Sequence, residues 1–357
     1  MKTAIIGLPM VGKTSLFTIL TGFHQAAHIG SMAVRMGVAR IPDPRLDAVA
    51  EVFQPQKVTH ATLEYLDCPP VSKEALRDPS YIASLRVVDA FAHVLRVFED
   101  SSVPHELGSV DPLRDLDNVE TELILSDLMV VEKRLDRLDR DRKKMKSPEL
   151  DREFELLERA KATLDSSAPL RQLQLSGEEE KRLRGFQFLS EKPMLYVLNL
   201  GEADAPRLHT LEAEYRSGPL SGRVRTGVTA ICGKIEAELA ELSGEEAQEY
   251  LVAYGLKESG IQRLIAATYA LLGLISFFTA SDPEVRAWTL PVHSPALKAA
   301  GTVHTDFEKK FIRAEVIDWK ALVEHGGYAG AREKGVLRLE GKDYIVKDGE
   351  VLLIRHG

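Results

Sequence analysis

The sequence predicts an α/β protein built on a parallel sheet of the doubly wound kind, interrupted by a helical hairpin and followed by a small α+β unit. Three observations predict it. Apolar strand-like runs alternate with helical runs from Met1 to about Val119, and strand character returns at Met194–Leu198; alternation of this sort marks crossover connections in a parallel sheet. Between those stretches apolar residues recur at 4-3-4-3 spacing, a helical stripe rather than a strand. After Gly273 several short strand candidates crowd together with one or two helices. The chain has 357 residues, too many for one compact core.

Taken in order, Lys2–Ile6 reads as a strand and Lys13–Leu20 as a helix that the Thr21-Gly22 pair ends. Ala61–Leu66 and Asp89–Phe98 are further strands, the second buried because it contains AFAHVLRVF. Ile124, Leu128, Val131, Leu135 and Leu138 make the first helical stripe, and Leu150, Phe154, Leu157, Ala160 and Leu164 the second. Between them Ser147 suits an N-cap and Pro148 a first helical position, so two antiparallel helices should meet at a tip near Lys146. Met194–Leu198 and Val228–Ile231 are strands, and Lys234–Leu242 is a helix with Glu and Leu on opposite faces. Leu264–Ser281 carries no charge, but Thr268, Tyr269, Gly273, Ser276 and Thr279 favour a buried helix, a turn at Gly273 and a strand over a membrane span. Arg286–Leu290, Phe311–Ile317, Val336–Leu339, Tyr344–Val346 and Val351–Ile354 follow as strands, with Asp348-Gly349 as a hairpin turn between the last two. The resulting division is a sheet domain over 1–119 and 190–273, a helical insertion over 120–189 and a C-terminal domain over 274–357.

Composition narrows the function classes. With 46 Lys+Arg against 54 Asp+Glu the net charge is -8, which excludes a general polyanion binder; nucleic-acid contact requires a local basic patch. Such a patch lies at the expected hairpin tip, where residues 133–146 hold eight basic and three acidic side chains. Cys68 and Cys232 build no disulfide framework, and the apolar run before Gly7 is too short for a signal peptide, so a cytoplasmic protein is expected. Cys68 is expected as a small core residue, with a redox-sensitive thiol as the alternative, His93 as a satisfied core histidine, and the ten histidines show no zinc-ligand spacing.

Chemistry concentrates at Gly7-Leu8-Pro9-Met10-Val11-Gly12-Lys13-Thr14, followed by Ser15, which matches G-x-x-x-x-G-K-[ST] between a strand and a helix. Glycines let the backbone curl so that N–H groups point at phosphate oxygens, and the helix adds its positive N-terminal dipole. Lys13 supplies charge to the β- and γ-phosphates and the Thr14 hydroxyl a ligand for Mg²⁺. Asp67, closing a strand at the carboxyl edge of the sheet, suits support of that metal, with a turn-initiating Asp as the alternative. Asn199-Leu200-Gly201-Glu202 follows a strand where a nucleotide base would be read.

These segments, with IPDPRLD at Ile41–Asp47, DAFAHVLRVFED at Asp89–Asp100, VRAWTL at Val285–Leu290, HTDFEKKFIRAEVI at His304–Ile317 and RLEGKDYIVKDGEV at Arg338–Val351, resemble the YchF family of Obg-like ATPases along nearly the whole chain. The resemblance implies a GTPase-like P-loop NTPase domain, an antiparallel coiled-coil insertion and a C-terminal ubiquitin-like β-grasp (TGS) domain. It further implies a cytoplasmic nucleotide hydrolase that associates with ribosomes. ATP is expected over GTP, because Glu202 stands where guanine-specific relatives carry Asp and Leu200 where they carry Lys, which forfeits paired hydrogen bonds to guanine. Cys232 and Gly233 resemble the last base-contacting loop. Four departures bear on turnover. The third motif reads Asp67-Cys68-Pro69-Pro70, and Pro70 has no N–H for the γ-phosphate. Val71–Pro79 lacks the glycines of relatives, Met10 replaces an Asn that helps hold a monovalent ion, and around His28–Met36 only Ser31 stands in for a switch threonine. Nucleotide binding is therefore expected to survive and hydrolysis to be slow or partner-dependent. A non-catalytic RNA- or ribosome-binding module, engaging through residues 133–146 and the TGS domain, and a GTP-binding switch are the alternatives.

Overall fold

A computed structural model describes residues 1–22 and 33–357; Ser31 and the rest of the segment between them lie outside the described residues. Strands β1 (Lys2–Ile6) and β2 (Arg35–Arg40) belong to the first sheet, β3 (Lys57–Thr59) to the second, and β4 (Thr62–Asp67), β5 (Ala90–Arg96), β6 (Met194–Asn199) and β7 (Thr226–Ile231) again to the first. That sheet runs β2-β4-β1-β5-β6-β7, and the β4-β1, β1-β5, β5-β6 and β6-β7 pairs are parallel. Every residue of β5 and β6 is buried, as expected of central strands covered on both faces. The chain reverses between β1 and β5, so the carboxyl ends of β1, β4, β5 and β6 line one edge, where a doubly wound sheet places its ligand.

Helix α1 (Lys13–Thr21) ends at Gly22, left-handed at φ 65° and donating its N–H to the Thr18 carbonyl. Helix α2 (Pro44–Phe53), not expected from the sequence, starts on an Asp43 carboxylate that accepts the Arg45 N–H. Helix α3 (Pro79–Arg86) is capped the same way by Asp78. The hairpin consists of α4 (Pro112–Lys144) and α5 (Pro148–Asp165), with Ser147 and Pro148 at the positions expected of them. Its arms run antiparallel: Arg134 pairs with Glu153, Arg142 with Asp151 and Lys161 with Glu132. Ile124, Val131, Leu138, Leu157, Ala160 and Leu164 form its buried seam, with Leu128, Leu135, Leu150 and Phe154 packed alongside. The first arm begins at Pro112, before the expected boundary at 120. The buried Asp127 carboxylate on α4 accepts the N–H groups of Leu189 and Ser190 and the Ser190 hydroxyl, anchoring the hairpin to the strand that follows.

Contacts divide the chain into two units, Met1–Val38 with Glu64–Leu271, and Ala39–Leu63 with Leu272–Gly357. Residues 39–63 therefore pack with the C-terminal unit, not with the sheet domain to which sequence order assigned them. The second unit holds β8 (Leu274–Ala280), β9 (Glu284–Pro291), β10 (Phe311–Asp318), β11 (Arg338–Glu340) and β12 (Glu350–His356), and its sheet runs β11-β10-β12-β8-β9-β3. Tyr344–Val346 is no strand: only Ile345 bridges, to Pro295. Asp348-Gly349 is a turn but not a hairpin, since β12 pairs with β10 and β8. The Asp348 carboxylate instead accepts the Ser276 N–H at 2.9 Å and pairs with Arg45 at 2.6 Å. Gly273 makes the expected turn, at φ 59°, between the helix Gly260–Leu271 and β8. Among the described residues no helix is long and apolar enough to cross a membrane.

Candidate nucleotide site

The loop between β1 and α1 needs glycine at two places. Gly7 lies at φ 144°, and a Cβ there would sit 2.6 Å from the Val94 carbonyl; Gly12 lies at φ 99°, with a Cβ 2.5 Å from Asn199 Nδ2. Both contacts are closer than side chains tolerate, so strand β5 and Asn199 press directly on the loop. Leu8, Pro9 and Val11 complete it, and Met10 projects outward, 56% exposed and left-handed at φ 59°. Lys13 is folded into the loop, 6% exposed, and its ammonium donates to the Leu8 carbonyl. Burial pulls its pKa down to about 8, against the opposing pull of Asp67, Cys68 and Glu106. The site thus holds a poorly solvated cation that an anion would stabilise.

Beside it, the Thr14 hydroxyl donates to Asp67 Oδ2 at 3.0 Å. The sequence placed these two residues together and the structure does so too. Asp67 is 5% exposed, and its other oxygen, Oδ1, is buried without a hydrogen-bond partner among the described residues. A hydroxyl next to a half-satisfied buried carboxylate, both oxygen donors, fits Mg²⁺. Arg35, at the start of β2, also donates to Asp67 Oδ2, a contact the sequence gave no sign of.

A pocket of about 400 Å³ opens between Gly12, Ser15 and Leu16 on one side and Phe98, Asp100, Leu200, Glu202, Gly233 and Lys234 on the other. Asn199 lies at its floor, but both ends of its amide are taken: Nδ2 donates to the Val11 carbonyl at 2.9 Å, and Oδ1 accepts the Gly233 N–H at 3.0 Å. It braces the loop between β1 and α1 against the loop after β7, keeps a second amide N–H beyond these bonds, and lines the pocket where the sequence expected the base. Glu202 is paired with Lys234 at 2.5 Å, which the sequence did not anticipate. Cys232 is buried, caps the helix Gly233–Leu239 and does not line the pocket; burial pushes its thiol up. The helix is shorter than expected, and Glu236 turns inward, accepting the N–H groups of Gly260 and Ile261. The outer wall depends on Arg96, buried in β5, whose guanidinium donates to the carbonyls of Phe98, Asp100, Val103 and Pro104.

A second cleft, about 760 Å³, adjoins the loop through Leu8, Pro9, Pro70 and Val71. None of those four side chains can orient a water. The Pro70 segment is held firmly: the Tyr81 hydroxyl donates to the Pro69 carbonyl at 2.9 Å, and Cys68, Val71, Ala75 and Leu76 are buried.

Relatives match this chain from end to end. A Bacillus subtilis (strain 168) protein named "Ribosome-binding ATPase YchF" is 38% identical over 362 residues, 99% of each chain. A Haemophilus influenzae protein of the same name is 40% identical over 363 residues, covering 99% of this chain and 98% of its own. The chain belongs to the YchF family. A family model described as "YchF-GTPase_C: Protein of unknown function (DUF933)" matches residues 274–357, the segment expected to form the TGS domain. The solved structure described as "Structure of the Schizosaccharomyces pombe YchF GTPase" is similar with a TM-score of 0.82 at 25% identity, covering 99% of this chain and 97% of that one.

Within this YchF fold the motif residues Gly7–Thr14, Ser15, Asp67, Asn199, Leu200, Glu202 and Gly233 converge on one edge of the sheet, as the sequence order of strand ends suggested. The residues that sequence reasoning missed, Arg35, Arg96 and Phe98, act through backbone carbonyls or through a partner distant in the chain. No local pattern marks such contacts.

Proposed function

We propose that this YchF protein binds Mg²⁺-ATP at the Gly7–Thr14 loop, hydrolyses it slowly in isolation, and works in the cytoplasm on the ribosome. The observation that carries the reading is the desolvated Lys13 ammonium, parked on the Leu8 carbonyl beside the Thr14–Asp67 pair. The loop N–H groups and Lys13 would bind the β- and γ-phosphates, Thr14 and Asp67 would hold the metal, and Asn199 would keep the loop in shape. The metal supplies charge neutralisation to the phosphates when bound. ATP is favoured over GTP because the Glu202 carboxylate is committed to Lys234 and Leu200 adds only apolar surface. Slow turnover follows from Pro70, which has no N–H, on a segment clamped by Tyr81.

The ribosome reading rests on the relatives' name and on a basic surface. Several charges at the tip are neutralised: Arg134 by Glu153, Arg142 by Asp151 and Lys143 by Asp139. Below the tip, a groove of about 460 Å³ is lined by Arg86, Lys133, Arg134 and Arg137 with Phe186 and Met129, and among the described residues by no carboxylate. Phosphate backbones with an exposed base match that lining. The test is co-sedimentation with ribosomes at several salt concentrations for the unaltered protein and a Lys133→Glu/Arg137→Glu variant. Expected are salt-sensitive binding by the former and at least about tenfold weaker binding by the latter, two phosphate contacts being lost. Equal binding by both would remove this surface from the account.

A further inference from the structure

We propose that Arg35 is a built-in stand-in for the metal: its guanidinium holds Asp67 in the metal-free protein and must be displaced when Mg²⁺ enters with nucleotide. The inference rests on reading this site as one for Mg²⁺-nucleotide.

Three contacts carry it. Arg35 Nη2 donates to Asp67 Oδ2, the same oxygen that accepts the Thr14 hydroxyl at 3.0 Å. The second oxygen of that carboxylate is buried without a partner among the described residues. The guanidinium also lies 5.4 Å over the ring of Phe17, three residues along α1 from Thr14, so it is held on the metal side of the helix. Side-chain exposure is 19% for Arg35 and 6% for Asp67, so water does little to screen the pair.

The physics follows from the charge balance. A carboxylate this deeply buried is costly unless a cation meets it. In the metal-free state Arg35 is the cation hydrogen-bonded to it, with the Lys13 ammonium close enough to be felt. A divalent ion held by the Thr14 hydroxyl and this carboxylate would bring a like charge against the guanidinium. Metal and Arg35 would draw on the same carboxylate, whose open Oδ1 gives the ion a place to enter beside the guanidinium. Magnesium therefore binds against a competitor already in place, and its release restores a closed ion pair instead of leaving a bare carboxylate. Because Arg35 opens the edge strand β2, which the sheet holds on one side only, its displacement moves the end of that strand and not the central sheet.

The test compares the full-length protein with Arg35→Ala and Arg35→Lys variants. ATP affinity is measured by calorimetry from excess EDTA to millimolar Mg²⁺, and the thermal midpoint is recorded with EDTA and with saturating Mg²⁺-ATP. For Arg35→Ala, the Mg²⁺ concentration that half-maximally tightens ATP binding should fall about ten- to a hundredfold, the worth of a hydrogen bond to a charged group. Its thermal midpoint should drop with EDTA and return to that of the unaltered protein with Mg²⁺-ATP, while Arg35→Lys falls between. An unchanged Mg²⁺ dependence overturns the role of Arg35 alone, as does an equal drop in midpoint under both conditions, which would mark a structural ion pair. Weaker ATP binding at every Mg²⁺ concentration would make Arg35 a phosphate ligand and overturn the proposal. No Mg²⁺-dependent ATP binding by the unaltered protein would overturn the site reading and this inference with it.

Discussion

His93 sits in the middle of β5, paired in register with Ile6 and Tyr196, and neither ring nitrogen has a hydrogen-bond partner among the described residues. Its burial was legible from the apolar run around it; the missing partner was not, because that depends on what β1 and β6 bring alongside. Burial first, and then the charges of Lys13 and Arg171, pull its pKa down to about 3. The unfolded chain titrates near the ordinary 6.5. The folded state therefore keeps the full contribution of this neutral ring above pH 6.5 and loses it as pH falls from there towards 3. A His93→Leu variant should be more stable by about 1–2 kcal/mol at pH 7, since an unsatisfied buried polar group disappears. The difference should widen by up to about 1.4 kcal/mol per pH unit below 6.5. Urea unfolding at pH 7 and pH 5 measures both; a difference that stays constant across that range would show that the ring finds a proton partner in solution.

At the scale of elements, what reads locally is read correctly. Ser147-Pro148 marks the second arm of the hairpin, and the apolar runs mark β1, β5 and β6, because caps and central strands depend on residues close in the chain. Tyr344–Val346 fails for the opposite reason. Its alternation is the same whether it joins a sheet or forms the single bridge it makes to Pro295. Asp348-Gly349 carries turn chemistry, but its carboxylate is spent on Ser276 and Arg45, which no local pattern reveals. The Pro70 segment is the element on which function turns. Its stiffness was legible as a lack of glycine, and the structure adds the Tyr81 clamp on the Pro69 carbonyl. A Pro70→Gly change restores a backbone donor towards the terminal phosphate and should raise ATP turnover by about 10²–10³ if that donor acts mainly in the transition state. ATP affinity should tighten far less. A steady-state assay decides it, and unchanged turnover would mean that some other feature limits the rate.

For the whole molecule, the parallel sheet and the edge that carries the candidate site follow from alternation of strands and helices, and the glycine-bounded turn between β1 and α1 was legible to the residue. The partition into units was not. Residues 39–63 lie between strands of the first sheet in sequence, yet α2 and β3 pack into the second unit, with β3 pairing β9. Neither composition nor charge changes where the chain crosses over, so only tertiary contacts define that boundary. The basic groove beneath the hairpin tip was half legible: Lys133, Arg134 and Arg137 lie in the basic run 133–146, while Arg86 and Phe186 join them from parts of the chain that no local pattern connects.

Everything functional descends from one claim, that the curl ahead of α1 grips the phosphates of a nucleotide through Lys13. Calorimetric titration of Mg²⁺-ATP into the full chain and into a Lys13→Ala variant tests it most directly. One saturable site is expected in the unaltered protein, with affinity at least about tenfold weaker in the variant, as loss of a charge-assisted hydrogen bond requires. Equal affinity in the two, or no binding by either at millimolar ATP, would contradict it.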